Sequence, residues 1–381
     1  MPLAQRVHNL PSYLFAGLEA KATELKQRGV DLIDLGIADP DLPPVDIVKQ
    51  SLIRHLDDPD AHQYPSSVGD LAVRKAVAGW MQARFGVAID PAMEICITSG
   101  SKEGLANLSR AYAEPGTVVA ATDPGYPVYA NAGAILNGAG FRALPLTPDN
   151  QFMPDLTLAE GARLLYLNYP NNPTGAVADE SFYREVAAFA DAHPETLVIM
   201  DAAYCELSFL PPKPPSLLQF SKNVIEFHSL SKMMNVTGYR IGFAAGQPEA
   251  IAALVKIKTQ LDSGAPVFIQ RAMAEALAAY DGVNPPADAQ ESHNEYGRRK
   301  ALLEKGLKDV PGVKQVYPSP ATFFVWASVD DDVAFVEHAM EKGVILTPGR
   351  GFGEAGEGFI RAAVTTSADR IELALQRLRD E

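Results

Sequence analysis

The sequence predicts an α/β protein with a mixed but mainly parallel sheet, covered by helices on both faces and followed by a smaller α/β unit. Three observations predict it. Short apolar runs alternate with longer amphipathic stretches, the pattern of strands joined by helical crossovers. The last run of the series follows its predecessor too closely for a helical crossover, so that strand is expected to run antiparallel. The length, 381 residues, is enough for two structural domains.

In chain order, residues 13–28 (YLFAGLEAKATELKQR) have helical apolar spacing and stop at Gly29, a residue suited to the left-handed position after a helix. Strands are expected at residues 94–98 (EICIT), 117–122 (TVVAAT), 163–167 (RLLYL), 196–200 (TLVIM) and 223–228 (NVIEFH), with the antiparallel one at 241–245 (IGFAA). Helical patterns occupy residues 71–85 and 180–192, and a long helical region is expected from Leu261 to Leu307. Beyond it, strands at 322–327 and 358–364 are separated by a helix near 333–342, which makes the smaller unit. Pro211 to Pro215 (PPKPP) is expected to form an exposed, extended loop. We therefore expect residues 1–35 to be an N-terminal helix and arm packing with the small domain, 36–275 a large cofactor-binding domain, and 276–381 a small C-terminal α/β domain.

Composition narrows the function. With 47% hydrophobic and 21% charged residues the chain is of ordinary globular type, and a net charge of -14 argues against a nucleic-acid surface. No apolar run approaches the roughly 18 residues of a membrane span, and no secretory signal is expected at the N-terminus. Two cysteines without CxxC spacing point to neither a disulfide framework nor a zinc site, so a reducing, cytoplasmic compartment is expected. The seven histidines show no metal-ligand spacing, hence no metal is expected.

Ligands of open α/β sheets bind at the carboxyl ends of the strands. Five of these ends carry unusual polar residues: Ser99-Gly100-Ser101-Lys102-Glu103, Asp123-Pro124-Gly125-Tyr126-Pro127, Asn168 to Gly175, Asp201-Ala202-Ala203-Tyr204, and His228-Ser229-Leu230-Ser231-Lys232. A Gly/Ser turn opening a helix can hold a phosphate on unpaired backbone N–H groups. A buried lysine can lose its proton and attack a carbonyl. Phosphate cradle, aromatic shelf, acid and imine-forming lysine together describe a pyridoxal phosphate site. Taken singly, Asp201 also reads as a helix N-cap, Tyr204 as a core residue, Arg361 as a surface ion-pair partner and Tyr64 as part of an exposed turn.

Ser229-Leu230-Ser231-Lys232 followed by Thr237-Gly238-Tyr239-Arg240-Ile241-Gly242 resembles the attachment signature of class I/II aminotransferases. The resemblance includes Asn172-Pro173-Thr174-Gly175 and Asp201-Ala202-Ala203-Tyr204 in the family order, and runs from about Tyr13 to Arg361. It implies the fold type I architecture, a three-layer α/β/α large domain on a seven-stranded sheet plus a smaller α/β domain. It implies that Lys232 holds pyridoxal 5'-phosphate through an imine and then moves a proton at the substrate Cα. Asp201 is expected to pair with the pyridinium nitrogen, and Tyr204 and Asn172 to hydrogen-bond the ring hydroxyl oxygen. Arg240, Ser229 and Ser231 with the Ser101-Lys102 turn are expected to hold the phosphate, and Tyr126 to stack on the ring. Tyr64 resembles the tyrosine that reaches the neighbouring subunit's phosphate, which implies a homodimer with shared sites. Arg361 resembles the arginine that grips the substrate α-carboxylate.

The segments Leu35 to Asp41, Gln63 to Ser66, Gly100 to Gly104 and Asp123 to Tyr129 are similar to the LL-diaminopimelate aminotransferase subfamily. In that subfamily residues in the positions of Tyr13, Gly36, Lys102 and Tyr126 contact the long dicarboxylic substrate, and all are kept here. The departure is Val267, where the subfamily usually has an amide side chain. The implied activity is transfer of an amino group between an amino acid and a 2-oxo acid, with 2-oxoglutarate the expected partner, in lysine or cell-wall precursor metabolism. A broader aspartate/alanine/glutamate-type aminotransferase and a pyridoxal-phosphate β C–S lyase share the cofactor residues and stay open as alternatives. Gly351 to Gly356 matches GxGxxG but leads into a strand rather than opening a helix, so it reads as a Gly-rich loop. Asn235-Val236-Thr237, inside the cofactor motif, is an accidental match to a glycosylation acceptor.

Overall fold

A computed structural model describes residues 1–11 and 14–380. Tyr13 lies outside the described residues. The main sheet has seven strands: β1 (Ile95–Thr98), β2 (Val118–Asp123), β3 (Gly140–Pro145), β4 (Leu164–Asn168), β5 (Leu197–Asp201), β6 (Val224–Ser229) and β7 (Gly242–Gly246). Their spatial order is β1-β7-β6-β5-β4-β2-β3. Pairings from β3 to β6 are parallel, and β7 runs antiparallel to both β1 and β6. The exception has a local cause, because the link from β6 to β7 is one four-residue helix (Leu230–Met233) and a short turn, which cannot cover a sheet face.

Alternate residues of each strand go to opposite faces, and both faces are buried. Ile95, Ile97, Leu165, Leu167, Val198 and Met200 enter one core. There they meet helices α1 (Leu71–Phe85), α2 (Glu180–Ala192) and α3 (Val267–Ala278). Cys96, Leu164, Tyr166, Leu197, Ile199 and Phe227 face the other core, beneath helices α4 (Ser101–Tyr112) and α5 (Pro248–Leu261). Each inner strand is therefore a continuous apolar run and stands out in the sequence. The edge strand β3 was not expected: four of its six residues are exposed and it carries Gly140, Arg142 and Pro145, so it has no apolar signature.

A second sheet has four antiparallel strands, β8 (Gln315–Tyr317), β9 (Phe324–Ser328), β10 (Thr347–Pro348) and β11 (Phe359–Ala363), in the order β10-β11-β9-β8. Its core joins Val325, Ala327, Ile360 and Ala362 to Leu303, Leu307, Ile371 and Leu375 of helices α6 (Ala287–Leu307) and α7 (Ala368–Arg379). The N-terminal segment is tied into this unit, since Ile33–Asp34 pairs in parallel with Val344–Ile345 and Ile33 and Leu35 share the core. Gly29 is left-handed at φ 80° after the helix Leu14–Gln27, as its position predicts.

Two expectations need correction. The helical region reaching Leu307 is two helices, α3 and α6, broken between Asp281 and Pro286, where Gly282 is left-handed at φ 58° and Pro285 and Pro286 cannot donate to a helix ladder. The Pro211 to Pro215 loop is exposed only at its start, for Pro214 is buried and its carbonyl accepts from Arg84 at 3.4 Å.

α4 lies unusually close to the sheet because Gly104 has no side chain there. A Cβ at that position would stand 2.6 Å from a ring carbon of Phe227 and 2.8 Å from the methyl of Thr98. Gly104→Ala should therefore destabilise the fold by about 1–3 kcal/mol through overpacking, despite a helix-propensity gain of about 1 kcal/mol. Equilibrium urea unfolding reads it, and a variant at least as stable as the parent would refute this account of the contact.

Candidate active site

The five polar strand ends converge at the carboxyl edge of the main sheet. Register puts Asn168, the last residue of β4, beside Asp201, the last of β5. Asn168 fixes the corner, its Nδ2 donating to the Asp201 carbonyl at 2.7 Å and its Oδ1 accepting from Asn172 N at 2.8 Å. Asn168 was not singled out from sequence, although its place opening the Asn168 to Gly175 motif was visible.

One end of the site is a cradle at the start of α4. Gly100 is left-handed at φ 82°, and the helix has no side-chain cap on its first N–H groups. The Arg240 guanidinium lies directly over this turn, for a Cβ on Gly100 would be 2.5 Å from Arg240 Nη2. Arg240 is itself anchored, donating from Nη1 to the Thr237 carbonyl at 2.7 Å. Ser229 caps the short helix that carries the lysine, and the Ser231 hydroxyl is buried without a hydrogen-bond partner among the described residues. Beneath, Glu103 accepts from Ser99 N at 2.9 Å and pairs with the fully buried Lys258 at 3.0 Å, which offsets the acid in the helix's first turn. Ser101 is half-buried in this turn and Lys102 exposed. A free helix N-terminus, a guanidinium above it and an unpartnered buried hydroxyl fit a phosphate group.

Between the cradle and the second sheet lie the titratable groups. Asp201 is buried, and loss of water pushes its carboxyl up to about 6, against the opposing hydrogen bond from Tyr129 Oη at 2.8 Å. Tyr204 is buried with its ring 5.4 Å from that of Phe324, and burial raises its hydroxyl. The position excludes the helix N-cap reading of Asp201, because Asp201 closes a strand and its carboxylate faces into the site. Lys232 donates from Nζ to the Ala38 carbonyl. Burial lowers its ammonium to about 8, with Asp39 opposing and the Arg361 and Arg240 charges adding to the fall. Tyr126 is half-buried, its ring 6.0 Å from the Lys102 Nζ and edge-on to Tyr129.

Arg361 arrives on β11 of the second sheet and is buried, which excludes the surface ion-pair reading. It is sandwiched between Phe324 at 4.4 Å and Phe352 at 4.7 Å. Nη1 donates to Asn172 Oδ1 at 2.8 Å and Nη2 to the Gly36 carbonyl at 2.6 Å, while Nε has no partner among the described residues. Burial lowers the guanidinium to about 10. Gly36 is wedged against Ile345 and Thr347, either of which a Cβ would meet at 3.3 Å.

Tyr64 does not join this cluster, being 92% exposed beyond the turn Pro59–His62. Val267 opens α3 half-buried, and the nearby amide of Gln270 is spent on backbone, accepting from Asp70 N and donating to the Ala265 carbonyl. Tyr129, Phe324 and Phe352 belong to the site and were missed from sequence. Tyr129 alone had a signal, three residues after Tyr126. Among the described residues no group of three or more His, Cys, Asp or Glu is placed to hold a metal ion, and no helix is long and apolar enough to cross a membrane.

An amine brought toward neutrality, next to a phosphate cradle and a buried acid, defines the class as a pyridoxal phosphate enzyme. The family model for aminotransferase class I and II matches residues 30–378. The LL-diaminopimelate aminotransferase of Moorella thermoacetica is 44% identical over 391 residues, covering 100% of this chain and 98% of the relative. That of Desulforudis audaxviator is 45% identical over 389 residues, covering 99% and 97%. Substrate-bound BacF from Bacillus subtilis superposes with a TM-score of 0.91 at 28% identity, covering 100% of this chain and 97% of that one. The chain belongs to the class I and II aminotransferase family; it is a pyridoxal-phosphate-dependent transaminase of fold type I, acting on amino acids and 2-oxo acids.

The lowered basicity of Lys232 can be read directly. In cofactor-free protein, acylation of Lys232 by an amine-specific reagent, followed by peptide mass spectrometry, should rise with a midpoint near pH 8. Ordinary exposed lysines still gain reactivity up to about pH 10. A Lys232 midpoint as high as theirs would refute the burial argument.

Proposed function

We propose that the amino donor is LL-diaminopimelate and the acceptor a 2-oxo acid, 2-oxoglutarate first among them. The observation that carries this reading is an exposed cation, Lys102, additional to the buried Arg361. Arg361, held between Phe324 and Phe352, suits a substrate α-carboxylate, and the Lys102 ammonium, 6.0 Å from the Tyr126 ring, suits a second, distal carboxylate. The full-length relatives named for that substrate support it.

In this reading the Ser101-Lys102 turn with Arg240, Ser229 and Ser231 would hold the phosphate, and Tyr126 would lie against the ring. Asp201 would hold the protonated ring nitrogen, and Tyr204 and Asn172 would hydrogen-bond the ring hydroxyl oxygen. When bound, the cofactor supplies the electron sink for the pair left at the substrate Cα. Arg361 orients the α-carboxylate, using N–H groups beyond the two already engaged. That would direct the Cα–H toward Lys232 Nζ, whose lowered basicity suits it to take the proton as a base. Phe324 and Phe352 exclude water from the guanidinium, which strengthens its grip. Tyr64 from a second copy of the chain completes the phosphate site, so the working unit is a homodimer. The division near residues 36 and 276 into arm, cofactor domain and small domain is part of this reading, supported by the separate cores of the two sheets. So is a cytoplasmic location, supported by the two buried free thiols.

Val267 favours a second reading of the same chemistry. With no free amide at the start of α3, the donor range extends to aspartate, alanine or glutamate.

Purified protein should show a near-ultraviolet or visible cofactor band that Lys232→Ala abolishes; persistence of the parent spectrum in that variant would defeat the mechanism. Single half-reactions with LL-diaminopimelate, glutamate, aspartate and alanine assign the donor, and spectral silence toward the first rejects the specific proposal. Arg361→Lys, which keeps the charge but loses the planar fork, should lower kcat/KM about 100-fold for any amino acid donor.

A further inference from the structure

Tyr129 is a residue that neither the cofactor motif nor the substrate contacts require, yet it touches the carboxylate on which the chemistry turns. Its hydroxyl donates to Asp201 Oδ2 at 2.8 Å, while among the described residues Asp201 Oδ1 receives only a long contact of 3.3 Å from Ala203 N. One carboxylate oxygen is thus occupied by a phenol and the other left for a ligand. The phenol is held rigidly. Tyr129 is 2% exposed and its ring stacks on that of Tyr166 at 5.0 Å and 11°. Tyr166 is fixed in turn by Ser109 Oγ at 2.5 Å and the Leu105 carbonyl at 3.1 Å. Tyr129 also begins a π-helical turn, Tyr129–Ala134, a departure from regular geometry that recurs at functional positions.

We propose that Tyr129 is the positioning residue that keeps Asp201 ionised and aimed at the cofactor's ring nitrogen. The titratable groups facing Asp201 are Tyr126, Tyr129, Tyr166, Tyr204 and His228. His228 is itself paired with buried Glu226 at 3.2 Å, so the direct side-chain donor to the carboxylate is the Tyr129 phenol. A hydrogen bond to the charged form stabilises that form. Without it, desolvation acts unopposed, the carboxyl titrates higher, and its hold on the protonated ring nitrogen weakens.

The inference rests on the pairing of Asp201 with the ring nitrogen proposed above. In the holoenzyme, Tyr129→Phe should lower kcat about ten-fold while KM for the amino donor stays within about two-fold, the split expected when an interaction tightens only in the transition state. The acid limb of kcat/KM should move up by about one pH unit, and pyridoxal phosphate should dissociate several-fold more readily in equilibrium dialysis, as expected for loss of one hydrogen bond to a charged group. A fluorinated tyrosine placed at position 129 keeps the ring's shape and donates more strongly, so its acid limb should move the opposite way. That variant also serves if the phenylalanine variant does not fold. An acid limb unmoved by either change overturns the proposal, even if kcat falls. Asp201→Asn separates the two layers: if it leaves kcat and cofactor dissociation intact, the ring-nitrogen pairing itself is wrong, whereas a collapse there with an inert Tyr129→Phe rejects only the role of Tyr129.

Discussion

The Arg361 guanidinium is where the separate parts of this molecule meet. It stands on the second sheet, donates to Asn172 at the edge of the main sheet and to the Gly36 carbonyl of the N-terminal segment, and is enclosed by Phe324 and Phe352. A buried arginine is tolerated only when its N–H groups are satisfied and its charge is compensated. Here backbone and amide oxygens do part of the first, and two aromatic faces contribute to the second. The buried Nε has no partner among the described residues and is left to meet an anion. Fold and site are thus one constraint, since the contacts that seat the arginine also join both sheets around the site.

Around it, burial drives titratable groups in opposite directions. Asp201 rises to about 6 and Lys232 falls to about 8, each mainly through loss of water. The lowered basicity of Lys232 is the condition under which it can act as a base near neutrality. The fold supplies such environments at strand ends because the strands beneath are buried on both faces, while the ends themselves must be polar to satisfy their backbone.

Legibility from sequence followed the same physics. Strands buried on both faces, such as Leu197–Asp201, stood out as apolar runs, and the short link after β6 foretold the antiparallel β7. The exposed edge strand β3 had no apolar run to reveal it, and the break after α3 depended on two prolines and a glycine inside an otherwise helical pattern. In the site, residues read from contiguous motifs, such as Lys232, Asp201 and Asn172, fell together at the strand ends. Those that act across long sequence separations did not announce themselves: Phe324 and Phe352 matter only because β9 and the loop before β11 bracket Arg361. Tyr64 is the converse case, conspicuous in sequence yet standing apart from its own chain's cluster.

Lys232, Asp201 and the Gly100-Ser101 turn all hang from the carboxyl edge of the seven-stranded sheet, whereas Arg361, proposed to grip a carboxylate, is delivered by a four-stranded sheet with a core of its own. Changes that re-angle the smaller sheet would shift Arg361 while leaving Lys232 and Asp201 seated on the main sheet. In an evolving lineage, the grip on one carboxylate can therefore be retuned on a different schedule from proton transfer.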